Sequence, residues 1–196
     1  YSLDNYVKAF DGMSSAIFNT IRIPLMALGI VVIFAIFISY LTVRKSNIFT
    51  KLIDSLSMIP YIVPGTVLGI AFITSFNTGI GGSGFLAITG TAFIMIVSLS
   101  VRRLPYTIRS SVASLQQISP SIEEAAESLG SNRLNTFFKI TVPMMMPGII
   151  SGAILSWVTM ISELSTSILL YNVRTRTMTV AIYTEVIRGN YGVAAA

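Results

Sequence analysis

The stretch Ile23–Val43, IPLMALGIVVIFAIFISYLTV, decides the fold class. It runs for 21 residues without a charge and is dense in Ile, Val, Leu and Phe. At about 1.5 Å of rise per residue, a helix of that length crosses a hydrocarbon core of about 30 Å. The remainder of the chain agrees with it. Of 196 residues 53% are apolar and 11% charged, against about 25% charged in ordinary soluble domains, and the mean hydropathy is +0.77. So few ions cannot cover the surface of a water-soluble domain, and disorder needs the opposite balance. The composition specifies an all-α membrane protein.

Working outward, 47 uncharged residues separate Asp54 from Arg102, too many for one helix. In their middle Asn77–Gly84, NTGIGGSG, reads as a turn, so two spans are expected, Ser57–Phe76 and Phe85–Val101. Pro60 and Pro64 bend or delay the start of the first of these, which apolar neighbours tolerate. A fourth apolar region runs from Val142 to Tyr171, interrupted by Pro143, Pro147 and Gly148, and gives a span near residues 145–171. Residues 102–143 form the long loop before it. Tyr1–Ser15 mixes polar and aromatic residues and suits a surface segment. The chain opens on Tyr1 rather than Met and turns apolar again near Tyr191, so it reads as part of a longer protein with a further span starting there. The expected organisation is a single transmembrane domain over residues 1–196.

The charges give the orientation. Net charge is +5, from 13 Lys and Arg against 8 Asp and Glu. Arg44, Lys45 and Lys51 follow the first span, and Arg102, Arg103, Arg109, Arg133 and Lys139 follow the third; positive loops stay cytoplasmic. Lys8, Arg22, Arg174, Arg176 and Arg188 fall on the other side against the rule. This placement marks a lipid membrane as the partner of the basic residues, not nucleic acid. With no Cys and no His, the chain has no thiolate or imidazole zinc site, disulfide, Ser-His or Cys-His nucleophile pair or imidazole proton relay.

A helix-competent polar segment, Ser119–Pro143, is embedded in this greasy chain. Ser119 can cap a helix whose first residue is Pro120, with Glu123 and Glu124 near the positive end of its dipole. Ile122, Ala125, Ala126 and Leu129 fall at i, i+3, i+4 and i+7, one apolar stripe backed by Glu123, Glu124, Glu127 and Ser128. Gly130 supplies the stop. A second short helix is expected over Asn132–Ile140, with Leu134, Phe137 and Phe138 on one side, ending before Pro143. A helix lying in the headgroups is one reading of this elbow. Alanine at the centre of the stripe favours close approach of another protein instead.

The residues Glu124-Ala125-Ala126, three residues, Gly130, nine residues, Ile140, two residues and Pro143 resemble the EAA signature of permease subunits in ATP-binding-cassette importers. Val142 stands where that family more often has Leu. Asn19-Thr20, Tyr40-Leu41 and the Pro60/Pro64/Gly65 entry also resemble it, so the likeness covers most of the chain. It implies a polytopic helical bundle of the type I importer kind in a prokaryotic inner membrane, with a cytoplasmic coupling helix docking in a groove of a partner ATPase. The coupling residues would be Glu123, Glu124, Ala125, Ala126, Leu129, Gly130, Ile140 and Pro143, with the Glu side chains as polar contacts at the rim. The other partners implied are a second permease copy or half and an extracytoplasmic solute-binding protein. The subunit would not be an enzyme and would bind no cofactor, ATP being used by the partner. In keeping with that, no G-x-x-x-x-G-K-[ST] loop occurs. The run Ile161–Tyr171, ISELSTSILLY, most resembles ferric-iron permeases, with polyamine and phosphonate importers close behind.

Several features carry plainer readings. Gly79-x-Gly81-x-x-Gly84 meets the dinucleotide fingerprint formally, but it joins two spans with no βαβ unit around it. Gly65-x-x-x-Gly69 and Gly148-x-x-x-Gly152 put small residues on one face for helix packing. Glu163 would lie inside a span over residues 150–171, sharing a helical face with Ser156, Thr159, Thr166 and Ser167. That stripe would line the translocation path or hold a neighbouring span by hydrogen bonds; alternatively the span ends near Ser162. Arg174 and Arg176 could meet acidic residues of a binding protein. An ion-gradient transporter would need buried acidic or basic relays, for which one Glu is thin support. An intramembrane enzyme lacks catalytic groups.

Overall fold

A computed structural model describes residues 4–78, 84 and 87–196, and all regular structure among them is helical. The elements are α1 (Asp4–Arg44), α2 (Ile48–Ile62), α3 (Gly65–Phe76), α4 (Ala92–Gln116), α5 (Pro120–Ser128), α6 (Arg133–Thr136), a π-helical turn (Phe137–Thr141), α7 (Val142–Ile161), α8 (Ser167–Leu170), α9 (Met178–Ile187) and α10 (Tyr191–Ala194). Asn5–Arg44 and Arg133–Ile161 are long and apolar enough to cross a membrane, and α2 with α3 makes a third candidate if the pair is one broken span.

The helix ends differ from the sequence reading at four places. The first helix begins at Asp4, so the polar and aromatic segment that leads into the first span extends that helix beyond its apolar run. Ser57–Phe76 is not one helix, because α2 starts at Ile48 and the chain breaks at Val63-Pro64. Pro64 supplies the break, since its ring denies an α conformation to Val63, whereas Pro60 stays inside α2. The expected turn falls largely on residues 79–83, outside the described residues, as do residues 85–86 of the third span; α4 starts only at Ala92 and then runs straight through Arg102, Arg103 and Pro105 to Gln116. The loop thus shrinks from 102–143 to residues 117–132, which hold α5 and lead into the helix starting at Arg133. Finally, α7 has Pro143 as its second residue and Pro147 in its interior, and stops at Ile161, short of the expected end at residue 171.

The chain divides into two compact units. One comprises Leu28–Ile62 and Ser100–Val158. Its core holds Leu115, Ile118, Met145 and Ile149 under Val32, Ile36 and Tyr40, with Ala35, Ile108 and Val112 beside them. Glycines let α4 and α7 meet backbone to backbone. A Cβ on Gly152 would stand 2.7 Å from Thr107 Cα, and one on Gly148 2.7 Å from the Ser110 carbonyl. Ser110 Oγ donates to the Gly148 carbonyl at 2.7 Å, so the small-residue face works as the sequence reading expects.

The other unit comprises Tyr1–Ala27, Val63–Leu99 and Thr159–Ala196. Met13, Ala16 and Ala181 form its core with Met178 and Val193. Asn19 Nδ2 donates to the carbonyls of Arg174 (2.9 Å) and Arg176 (3.1 Å), and Thr20 Oγ1 accepts from Met178 N at 2.7 Å. Asn172 closes the turn, its Oδ1 accepting from Arg174 N and Thr175 N and its Nδ2 donating to the Gly90 carbonyl. The 172–178 segment is therefore held at several points.

Candidate functional site

The elbow forms where local sequence dictates it. The Ser119 side chain accepts from Ser121 N and Pro120 opens α5. At the other end Gly130 has φ +93°. Gly130 N donates to the Glu127 carbonyl and Ser131 N to the Ala126 carbonyl, both at 3.0 Å. These two bonds make a Schellman end, which needs a left-handed residue and so a glycine. Asn132 then caps α6, accepting from Asn135 N at 2.7 Å.

The chain does not end a helix before Pro143. Instead α6 passes through the π-helical turn, where Val142 N donates to the Phe137 carbonyl, directly into α7. A proline ring clashes with the carbonyl four residues back in an α-turn; the wider turn just before Pro143 relieves that crowding. The turn also splits the three expected partners. Phe137 is buried against Tyr40, edge to face with centroids 4.7 Å apart, and against Phe37 at 5.8 Å, whereas Leu134 and Phe138 are exposed.

The acidic face of α5 is where the structure departs most from expectation. Glu123 is paired within the chain rather than left free at the surface. Its Oε1 accepts from Arg44 Nε at 2.9 Å and from Thr141 Oγ1 at 3.1 Å, and Arg44 Nη2 donates to the Ile118 carbonyl at 2.9 Å. The Arg44 and Glu123 side chains are only 10% and 15% exposed. One carboxylate thus joins the end of α1, the start of α5 and the π-turn. A pair this dry is held mainly by the penalty of leaving either charge alone, about 3 kcal/mol or more when one partner is removed. By contrast Glu127–Arg133, at 3.7 Å, is exposed on both sides and contributes little.

With Glu123 turned inward, the apolar stripe turns outward. Leu129 is 90% exposed, Ile122 37% and Leu134 72%. Glu124 and Ala125 are exposed with them, Ala126 is half-buried, Ile140 is half-buried and Pro143 is exposed. Beside α5 lies a groove of about 520 Å³, lined by Phe37, Tyr40, Arg44, Glu123, Arg133 and Phe137 among others. Arg44, Thr141, Tyr40 and Phe137 stand outside the coupling set read from the sequence, although Tyr40 and Phe137 are singled out there for other reasons. In the sequence Arg44 is marked only as a positive-inside charge, and its partner lies 79 positions away, beyond any periodicity.

The other candidate set is not one helical face. Ser156 lies on α7, donates to the Arg103 carbonyl at 3.1 Å and shares a 2.9 Å hydrogen bond with Thr107. Thr159 is half-buried near the end of the same helix. Glu163 falls beyond it, 5% exposed, and its Oε1 accepts from Thr166 N at 3.2 Å. Thr166 Oγ1 donates to the Gly65 carbonyl, and Ser167 begins α8. The stripe fails because α7 ends at Ile161. Ser156 thus ties α7 to α4, and Thr166 ties the segment before α8 to the start of α3.

The sequence pattern of the family described as "Binding-protein-dependent transport system inner membrane component" matches residues 5–196. The chain is 34% identical over 200 residues to the ferric transport system permease protein FbpB of Actinobacillus pleuropneumoniae, covering 100% of this chain and 28% of that protein. It is 28% identical over 178 residues to the molybdenum transport system permease protein ModB of Escherichia coli (strain K12), covering 86% of this chain and 78% of that protein. Among solved structures it is similar to a bacterial ABC transporter involved in the import of the acidic polysaccharide alginate, with a TM-score of 0.79 and 20% identity over 99% of this chain and 76% of that one. The chain spans little more than a quarter of the length of the FbpB proteins it matches. With the family pattern running from residue 5 to the last residue, over a helical fold shared with an importer, the chain belongs to the inner-membrane permease components of binding-protein-dependent ABC transport systems.

Proposed function

We propose that this chain forms part of the membrane pathway of an ATP-driven importer, in which α5 and α6 receive the movement of a partner ATPase. One observation carries the reading: α5 is held from inside by Glu123 while its apolar residues Leu129 and Ile122 face outward. A coupling element needs both halves. It must offer a face to a foreign protein and be tied firmly enough to pass on a displacement. Arg44 ties it to α1, and Thr141 to the helix that continues as α7. Gly130, Ile140 and Pro143 shape the elbow.

For the cargo we favour ferric iron, on the FbpB relatives at 33–34% identity; molybdate and sulfate permeases stand at lower identity. Ferric iron prefers oxygen, nitrogen or thiolate donors, and we assign its capture to a separate binding protein. The coupling test uses the full-length permease with its ATPase. A cysteine at Leu129 should crosslink to the ATPase and not to lipid-soluble probes; crosslinking to lipid alone refutes the proposal. Uptake of labelled iron against molybdate by the same assembly decides the cargo.

A further inference from the structure

Five basic residues stand on the outer side against the positive-inside rule, and the structure sorts them. Lys8 precedes the apolar run by several turns. Arg176 and Arg188 converge on one carboxylate, Glu185, at 3.5 Å and 3.0 Å. Arg22 and Arg174 do something else. They line one cavity of about 570 Å³, and no carboxylate is among its lining residues. Arg22 lies over the Phe18 ring at 5.8 Å, and neither guanidinium has an acidic partner among the described residues.

A guanidinium that merely snorkels to water needs no fixed partner geometry. Here the backbone that carries Arg174 is tied to α1 by Asn19 and Thr20 and to Gly90 by Asn172. The two arginines thus border one cavity on anchored backbone. Arg22 directly precedes the apolar run that starts at Ile23, which puts it at the depth of the headgroups. Below it the cavity turns apolar: Ile23 and Ile96 are buried, while Met26 and Phe93 are about half exposed. Two cations bordering one cavity at interface depth, over an exposed apolar floor, match the phosphate and the upper acyl chain of a phospholipid.

We propose that Arg22 and Arg174 form a binding site for the phosphate of an anionic phospholipid in the outer leaflet. The inference rests on the orientation read from charge and not on the importer function, so lipid binding tests it without transport. The probe is phosphatidylglycerol, counted on the purified full-length permease by native mass spectrometry from neutral detergent. The double variant Arg22→Ala/Arg174→Ala should weaken the tightest site about thirtyfold, as expected for two interfacial cations. Arg22→Lys/Arg174→Lys should keep most of the affinity, and Arg188→Ala, a cation outside the cavity, should leave it unchanged. Both arginines are exposed, so an unchanged melting temperature shows that the double variant is folded.

Equal retention by the double alanine variant, or equal weakening by Arg188→Ala, overturns the site. If inorganic phosphate displaces the lipid completely, the site takes a free oxyanion and the apolar floor plays no part, which overturns the lipid assignment. Loss of binding-protein association in the double variant, with lipid retention unchanged, overturns it in favour of a protein carboxylate.

Discussion

Replacing Glu123 by alanine should loosen α5 while leaving the spans in place. The carboxylate oxygen holds two donors at 2.9 and 3.1 Å in a site where its side chain is 15% exposed. Without it Arg44 keeps only the Ile118 carbonyl, and a mostly buried guanidinium loses its counter-charge. We expect a local penalty of about 3 kcal/mol, the lower end for breaking a buried pair because some water reaches the groove. At 1.4 kcal/mol per tenfold this is roughly a hundredfold faster opening. Hydrogen-exchange mass spectrometry reads it at the Leu129, Gly130 and Ser131 amides, which are bonded to the last turn of α5. Glu124→Ala, one residue on and exposed, should change nothing. Arg44→Ala should resemble Glu123→Ala, and the double variant should fall short of their sum by about 2 kcal/mol, as coupled partners do. Additive single effects, or an equal response in Glu124→Ala, would refute the clamp.

Gly152→Val should destabilise the α4–α7 contact by about 1–3 kcal/mol, because its Cβ meets the Thr107 backbone and not a yielding side chain; unchanged detergent stability would count against that packing. For Glu185, the Asn190 amide first, and then Arg188 and Arg176, hold the carboxyl below its ordinary range. Its stabilisation is then fully present above the unfolded value of about 4.3 and disappears as pH falls through the folded one. Acid should loosen the α9–α10 corner, and Glu185→Gln should remove this pH dependence as followed by exchange at the Asn190 amide. Cysteines at Val173 and Ser128 should label from outside and only after permeabilisation, respectively; the same access for both would refute the orientation.

The elbow is legible residue by residue because everything that shapes it is local. The Ser119 cap, Pro120 at the first position and Gly130 at the left-handed end each act within one turn. Which face points inward is not legible, since Glu123 is recruited by an arginine in another helix. Prolines mislead in both directions. Pro64 breaks its helix, whereas Pro143 and Pro147 sit within one, the former because a π-turn precedes it. Arginines likewise mark an end to the third span that the backbone ignores, because a helix needs only its hydrogen bonds and continues past a membrane boundary. The place of Glu163 is half legible: an end near Ser162 is one of the two readings the sequence offers and matches the end of α7 at Ile161, whereas the burial of Glu163 beyond that end depends on packing that no local pattern encodes.

The π-turn at Phe137–Thr141 amounts to one surplus residue in an otherwise regular helix. Each α-helical residue advances the helix by about 100° of rotation, so deleting one residue there would swing the α5–α6 elbow around the α7 axis while leaving its own surface chemistry intact. Relatives that keep the same exposed leucines but lack the bulge would present them in another direction. On the coupling role proposed above, the match between permease and ATPase would then depend partly on helical phase, at a distance from the exposed leucines themselves.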